Sequence, residues 1–333
     1  MMDNGLAAYI EVKGFQKIVI FTDENLLSLY PHFFDFIDNS KKEFIVLPRG
    51  EAAKTLAVYE NVCMQLLEKN IGRKALIINW GGGSISDFGG FVASTYKRGC
   101  TMVNVPTTLL AMIDAAIGGK NALNVGGVKN AAGTFYLPDM VVTEPSFLKT
   151  LPQNEILNGF GELLKYALIS NGELWEELKN SESVSAKEIR KEWIDFCQNY
   201  KESIVKRDFY DNGERHLLNF GHTVGHALES LFAPALSHGH AVALGCVIAA
   251  YISYNKNFIS KKVFQEIHDF VRKHYSFLSL NDEQIDAILR LCRNDKKNDG
   301  GSLKFILLSK IGEAFETDVS EVELRAALGN VFG

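Results

Sequence analysis

Ala75–Gly99 reads ALIINWGGGSISDFGGFVASTYKRG. An apolar run rich in β-branched residues runs into consecutive glycines. A helical pattern then follows, expected to start near Ser86 or Asp87. Glycine permits a tight turn and lets a ligand approach the backbone closely. A helix that starts beside such a turn offers unpaired N–H groups and a positive dipole end, which suits a pyrophosphate. The turn is not the G-x-G-x-x-G fingerprint, so a plain turn with Asp87 as a helix cap stands beside the ligand reading.

Outward from this stretch, the first half alternates the same two patterns. Lys17–Asp23 (KIVIFTD), Glu43–Pro48 (EFIVLP) and Lys74–Trp80 (KALIINW) read as buried parallel strands. Thr55–Asn70 has apolar residues at helical spacing. Alternation of this kind predicts a parallel sheet covered by helices. The character changes near Leu148–Glu155 (LKTLPQNE). Beyond it, helices are expected at Asn154–Ser170, Ser185–Asp208, Arg215–Leu231, His240–Tyr254, Lys261–His274 and Asn281–Cys292. Leu303–Glu316 reads as a hairpin turning at Lys310–Gly312. The expected fold is therefore an α/β, Rossmann-like N-terminal domain over residues 1–150 and a mainly α-helical C-terminal domain over 151–333. A ligand is expected in the cleft between them.

The composition allows such a pair. The chain has 333 residues, 47% hydrophobic and 23% charged, with a formal net charge of −5. The mild acidity argues against nucleic-acid binding, which favours a basic face. The 5 cysteines contain no C-x-x-C pair and fit reduced thiols in a cytoplasmic protein. The N-terminal residues lack the pattern of a signal peptide, and the apolar run His240–Ile252 is too short to span a bilayer.

Two further blocks carry chemistry. Val105–Phe135 contains Thr107, Thr108, Asp114, Lys120, Lys129 and Asn130 among repeated glycine pairs. Lysines beside glycine-rich backbone suit phosphate. In Gly221–Glu229 (GHTVGHALE), His222 and His226 are i,i+4 neighbours on one helix face, and His238 follows after a turn. Five of the 8 histidines lie between His216 and His240. Spacing alone picks His222, His226 and His238 as a metal set; a carboxylate ligand would have to come from elsewhere in the chain, with Glu162 the candidate. Arg215 and Asn219 lie two turns and one turn ahead of His222 and would share its side of a helix. A metal, a dinucleotide-like turn and several cations together suit redox chemistry on a phosphorylated hydroxy compound.

These blocks, with GFGELLKYALI around Glu162 and DKKNDGGSLKFILL from Asp295, resemble the 3-dehydroquinate synthase family. Related sugar phosphate cyclases, including ones that act on a seven-carbon sugar phosphate, share much of the pattern. The resemblance implies an N-terminal domain that holds NAD, a helical domain that holds zinc (or cobalt) and much of the substrate, and a homodimer. It places the metal on Glu162, His222 and His238, and makes His226 a nearby active-site residue rather than a ligand. For NAD it implies Asp23, Asn25, Glu51, Lys54, Gly83, Ser84, Ile85, Ser86, Asp87, Thr107, Thr108, Lys120, Lys129, Phe147, Leu148, Lys149 and Thr150. For a phosphorylated sugar-acid substrate it implies Asp114, Lys120, Asn130, Lys165, Lys201, Arg215, Asn219, His226 and Lys297, with Lys296 competing for the role of Lys297. Arg98 matches an arginine that reaches the partner's site.

The implied reaction is oxidation of a metal-bound hydroxyl by NAD, β-elimination of phosphate, return of the hydride, ring opening and an aldol closure. The sequence departs from the pattern at His240, where glutamate is usual, which makes His240 a competing candidate ligand. It departs also at Ser86, Phe209 and Asp211.

Overall fold

The computed structural model describes residues 4–170, 172–181, 183–295 and 302–333. The chain divides into two compact units, Met1–Leu151 and Pro152–Gly333.

In the first unit, α1 (Asn4–Lys13), β1 (Ile18–Thr22), α2 (Glu24–Leu29), β2 (Lys42–Val46), α3 (Leu56–Glu68), β3 (Leu76–Gly81), α4 (Gly83–Thr95) and β4 (Thr101–Pro106) alternate. The antiparallel pair β5 (Lys120–Val125) and β6 (Val128–Phe135) follows, then β7 (Met140–Val141). The main sheet runs β2-β1-β3-β4-β7 with every pair parallel. β1 and β3 are buried along their whole length, as the continuous apolar runs require of a sheet covered on both faces. The chain leaves β1 toward β2 and returns on the far side as β3. The strand order thus reverses between β1 and β3, and in such sheets ligands bind beyond the carboxyl ends at the reversal. Asp23, the glycine turn and Thr107 all follow carboxyl ends of strands.

The helix after the glycines starts earlier than the sequence suggests. Gly82 is the N-cap and Gly83 is already helical, so two of the three glycines stand at and inside the helix start. Asp87 lies inside α4 rather than at its cap. Two later glycines explain how α4 lies on the sheet. A Cβ on Gly89 would fall 1.8 Å from Oδ1 of buried Asn79, and one on Gly90 would fall 1.8 Å from Oδ1 of Asn121.

The second unit contains α5 (Gln153–Ser170), α6 (Gly172–Lys179), α7 (Lys191–Arg207), α8 (His222–Phe232), α9 (His238–Asn255), α10 (Lys261–His274) and α11 (Asp282–Asp295). The hairpin β8 (Ser302–Lys310) and β9 (Glu313–Ser320) and the final helix α12 (Glu321–Phe332) complete it. α9 is its centre, with Ala241 to Ala250 all buried, and α5, α8, α10, α12 and β8 pack around it. α10 spans the residues that its strong 3.6-residue periodicity predicts. Two expected helices are shorter. Ser185–Asp208 becomes α7 from Lys191, and Arg215–Leu231 breaks into a 3-10 turn, Glu214–Asn219, and α8. The break is Gly221, whose φ of 77° is left-handed and places a non-helical residue where a continuous helix was expected.

Candidate metal and anion site

Three helices meet at the histidine cluster because glycines let them. A Cβ on Gly161 of α5 would lie 2.0 Å from the Gly239 carbonyl oxygen of α9. A Cβ on Gly239 would lie 1.7 Å from the Asn158 carbonyl, and one on Gly245 1.9 Å from the Gly221 carbonyl. Backbones this close bring the residues next to the glycines together: Glu162 beside Gly161, His238 beside Gly239 and His222 beside Gly221.

Glu162, His222 and His238 offer ligand atoms that all lie within 4.8 Å of one another. The Nε2 atoms of His222 and His238 are each 3.0 Å from Glu162 Oε1. Ligands held at about 2.1 Å around a tetrahedral ion stand about 3.4 Å apart, so each imidazole already stands near ligand spacing from the carboxylate oxygen. The other ring nitrogens are tied elsewhere. His238 Nδ1 is 2.9 Å from Glu229 Oε2, and His222 Nδ1 is 3.1 Å from the Phe220 carbonyl. An Nδ1–H that donates to these acceptors leaves Nε2 as the free lone pair, the arrangement that orients imidazoles in metal sites. The donor set fits a divalent cation.

The electrostatics agree. Glu162 is fully buried, and burial alone would raise its pKa. Lys165, with Nζ 2.6 Å from Oε2, and His222 override this and hold the carboxyl ionised well below its usual range. Burial would also lower His238, yet hydrogen bonds to Glu162 and Glu229 push it up to about 10, so a bound cation would take the place of the Nε2 proton. Two carboxylates thus favour positive charge at the point where the three donors meet.

His226 is exposed on α8, with its ring centroid 5.2 Å from that of His222 and 5.9 Å from that of His238. Partial desolvation, then the neighbouring His222 and His238, hold its pKa low. Its nitrogens are not among the atoms that converge, so the geometry corrects the spacing-based set of His222, His226 and His238. His240 likewise stands outside the cluster. Two positions beyond His238 it turns away, with Nε2 2.8 Å from the Ser276 carbonyl and its ring 5.1 Å from that of Tyr275. The expectation that His240 competes as a ligand is therefore corrected.

Around this centre the second unit buries cations. Lys165 is 1%, Arg215 2% and Lys201 6% exposed, values rare for such side chains. α5, α7 and the Glu214–Asn219 turn pack together. The turn is held from within by Asp208, whose carboxylate accepts from the backbone N–H groups of Asn212, Gly213 and Arg215 at 2.8–3.0 Å. Arg215 Nη1 donates to the Phe209 carbonyl at 2.7 Å, and Asn219 is half-buried. Lys296 and Lys297 lie outside the described residues.

In the first unit, the predicted cofactor residues gather at strand ends, but their side chains play unequal parts. Asp23 caps α2 by accepting from Leu26 N–H at 3.0 Å, and Asn25 is exposed in that helix. Gly83 to Asp87 form the start of α4, where the side chains of Ile85 and Ser86 are buried. Thr107 is buried, and its N–H donates to the Gly81 carbonyl, while Thr108 packs its methyl on Gly82. Phe147 and Leu148 are core residues, so only Lys149 and Thr150 of that stretch are exposed. Asp114 is half-buried on a π-helical turn. Lys120, Lys129 and Asn130 are exposed along β5 and β6. Arg98 is exposed with a left-handed φ of 66°.

Lys54 is 3% exposed and donates to Asp87 Oδ2 at 2.7 Å and Asn130 Oδ1 at 2.6 Å. Burial works against the Glu51 charge, but hydrogen bonds from Asn124 and Ser84 and the nearby Lys54 and Lys129 hold its pKa below the usual value.

Two residues with clear contacts escaped the sequence reading. Glu229 ends the quoted histidine segment, and Asn124 sits between two glycine pairs. Neither type carries a signal of its own. Among the described residues no helix is long and apolar enough to cross a membrane.

Residues 44–158 match the family described as 3-dehydroquinate synthase N-terminal, and residues 159–298 match 3-dehydroquinate synthase C-terminal. A 3-dehydroquinate synthase of Alkaliphilus metalliredigens (strain QYMF) is 37% identical over 95% of this chain and 90% of its own length. A 2-deoxy-scyllo-inosose synthase solved with carbaglucose-6-phosphate, NAD+ and Co2+ superposes with a TM-score of 0.86 at 25% identity, over 98% of this chain and 93% of that one. The fold is shared with a 2-epi-5-epi-valiolone synthase from Streptomyces hygroscopicus subsp. jinggangensis 5008, at a TM-score of 0.84 and 24% identity over 99% and 95% of the chains. The sequence match over most of the chain, with both halves in order, shows that the chain belongs to the 3-dehydroquinate synthase family.

Proposed function

We propose that this chain is a 3-dehydroquinate synthase, a cytoplasmic homodimer that converts 3-deoxy-D-arabino-heptulosonate 7-phosphate to 3-dehydroquinate and phosphate. The observation that carries the reading is the convergence of Glu162, His222 and His238 in a unit that also buries Lys165, Lys201 and Arg215. A substrate with both a carboxylate and a phosphate calls for several fixed cations, and buried ones need no reorganisation when charge develops. The solved 2-deoxy-scyllo-inosose synthase is complexed with carbaglucose-6-phosphate, NAD+ and Co2+, which supports NAD and a zinc or cobalt ion here.

A bound metal would supply acidity to a substrate hydroxyl, and bound NAD would supply reversible hydride chemistry. Glu162, His222 and His238 would hold the metal, with Glu229 and the Phe220 carbonyl fixing the imidazole orientation. Lys165, Lys201 and His226 would bind the carboxylate and hydroxyls. Arg215, Asn219, Lys120, Asn130 and Lys297 would grip the phosphate, with Asp114 near the ring and Arg98 serving the partner's site. In the first unit, Asp23, Glu51, Lys129 and the start of α4 would seat NAD. The residues mostly position and neutralise, which is where such a sequence of steps gains its rate.

Phosphate release from 3-deoxy-D-arabino-heptulosonate 7-phosphate tests this, with and without chelator and NAD. Release should need both metal and NAD, and no NADH should accumulate. Accumulating NADH would mean a dehydrogenase. Faster turnover of a seven-carbon sugar phosphate that lacks the carboxylate would mean a different cyclase.

A further inference from the structure

Asn124 of β5 stands opposite a part of β6 that has left the ladder. The register pairs Leu123 with Ala132 and then Val125 with Val128, so Asn124 alone spans Lys129, Asn130 and Ala131. A bulge of this kind re-aims side chains, and Asn130 takes a left-handed φ of 54°. Asn124 uses both ends of its amide here. Nδ2 donates to Glu51 Oε2 at 2.7 Å, and Oδ1 accepts from Asn130 N–H at 2.9 Å. Its own N–H donates to the Lys54 carbonyl at 2.8 Å. The other Glu51 oxygen accepts from Ser84 Oγ at 3.0 Å, on the first turn of α4. Lys54 closes the circuit through Asn130 and Asp87. A path of hydrogen bonds thus leaves α4 at Ser84, passes through Glu51, Asn124, Asn130 and Lys54, and returns to α4 at Asp87.

We propose that Asn124 is a positioning residue that locks Glu51 to Asn130, so that the start of α4 and the bulge of β6 act as one rigid body. This rests on the reading that Glu51 serves the dinucleotide and Asn130 the substrate. Rigid coupling makes each ligand favour the other, reciprocally. The amide both donates to the Glu51 carboxylate and accepts from the Asn130 N–H, whereas an ionised aspartate could only accept. Aspartate would keep the acceptor for Asn130 and set a second carboxylate against Glu51. The charged groups around that pair are Lys54, with Nζ 3.8 Å from Glu51 Oε1, Lys129 on the bulge and Asp87 beyond Lys54. Two carboxylates in contact share one proton rather than both ionise, so one of them titrates far above its usual range.

The experiment uses the full chain with metal and NAD, and compares Asn124→Asp, Asn124→Ala and the double variant Glu51→Gln/Asn124→Asp. Phosphate release is followed across the pH range in which the wild type stays folded. NAD affinity is measured by calorimetry with and without inorganic phosphate. Asn124→Asp should lose about tenfold or more in kcat/KM at neutral pH and recover as pH falls, a limb that the wild type lacks. In the double variant the limb should vanish, because the amide introduced at position 51 can donate to the new carboxylate. Asn124→Ala should bind NAD more weakly and lose the mutual effect of NAD and phosphate. A wild-type pH profile in Asn124→Asp overturns the proposal, as does unchanged NAD binding and coupling in Asn124→Ala. If Asn124→Asp does not fold, the Asn124→Ala binding data decide. Failure of the wild type to release phosphate would instead sink the functional reading.

Discussion

Gly161 and Gly239 touch so closely that a Cβ on the first would sit 2.0 Å from the carbonyl oxygen of the second. The contact lies one residue from Glu162 and one from His238. Gly161→Ala would force α5 and α9 apart. Overpacking of this kind costs about 1–3 kcal/mol, more where backbone is the obstacle. The variant should show a lower urea midpoint and a bound-metal content well below one per chain. Wild-type stability with full metal content would show that the crossing does not set the site.

His222→Ala should abolish phosphate release and lower the metal content, since it removes a donor whose Nε2 stands 3.0 Å from Glu162. His240→Ala should keep full metal content, because its Nε2 faces the Ser276 carbonyl instead. Its expected cost is about 1 kcal/mol of stability. Metal analysis of the two purified variants checks both. Loss of metal in His240→Ala would restore it as a ligand.

Lys54 and Lys129 should behave differently although both stand near Glu51. Lys54 is buried and pairs with Asp87, so Lys54→Ala removes a buried ion-pair partner and should cost about 3 kcal/mol. Lys129 is exposed, so Lys129→Ala should change stability by less than about 0.5 kcal/mol while weakening NAD binding or catalysis. Denaturant titration and calorimetry separate the two effects. Unchanged kinetics in Lys129→Ala would remove it from the cofactor site.

The last helix offers a pH test. Ser320 and Glu323 form a capping box at the start of α12, and Glu323 also accepts from Lys256. The Lys256 hydrogen bond, against the opposing effect of burial and with the Ser320 bonds, lowers Glu323 from 4.5 to about 2. A carboxyl lowered in the folded state stabilises above its unfolded pKa, and that contribution is lost as pH falls through about 2. The thermal midpoint of Glu323→Gln should therefore lie below that of the wild type at neutral pH and approach it in acid. Ser320→Ala should cost about 1 kcal/mol. A gap that widens in acid would refute the assignment.

The elements legible in the sequence were those with an uninterrupted local pattern. β1 and β3 are fully buried strands and show as continuous apolar runs, and α10 shows its period without a break. Starts and breaks made with glycine were not legible. Gly83 reads as turn but is helix, and Gly221 interrupts a run that otherwise looks continuous. The metal set illustrates the limit for the site. Helical spacing favours His226 because it shares a face with His222. Glu162 reaches the cluster only through helix contacts between residues far apart in the chain; the need for a carboxylate made it a candidate, and the family resemblance set it in place of His226. Glu229 and Asn124 act through hydrogen bonds to groups that the fold brings to them, which leave no periodic trace.

α9 carries His238 at its first turn, and its middle, Ala241 to Ala250, is buried where α5, α8, α10, α12 and β8 pack against it. Such a segment has no route to local opening short of losing the whole unit. Its amide protons should be the slowest in the chain to exchange with deuterated solvent, at rates that report global unfolding. The end of the helix that meets the ligands is thus anchored to the part of the molecule least able to breathe, and whatever motion accompanies turnover has to be found elsewhere.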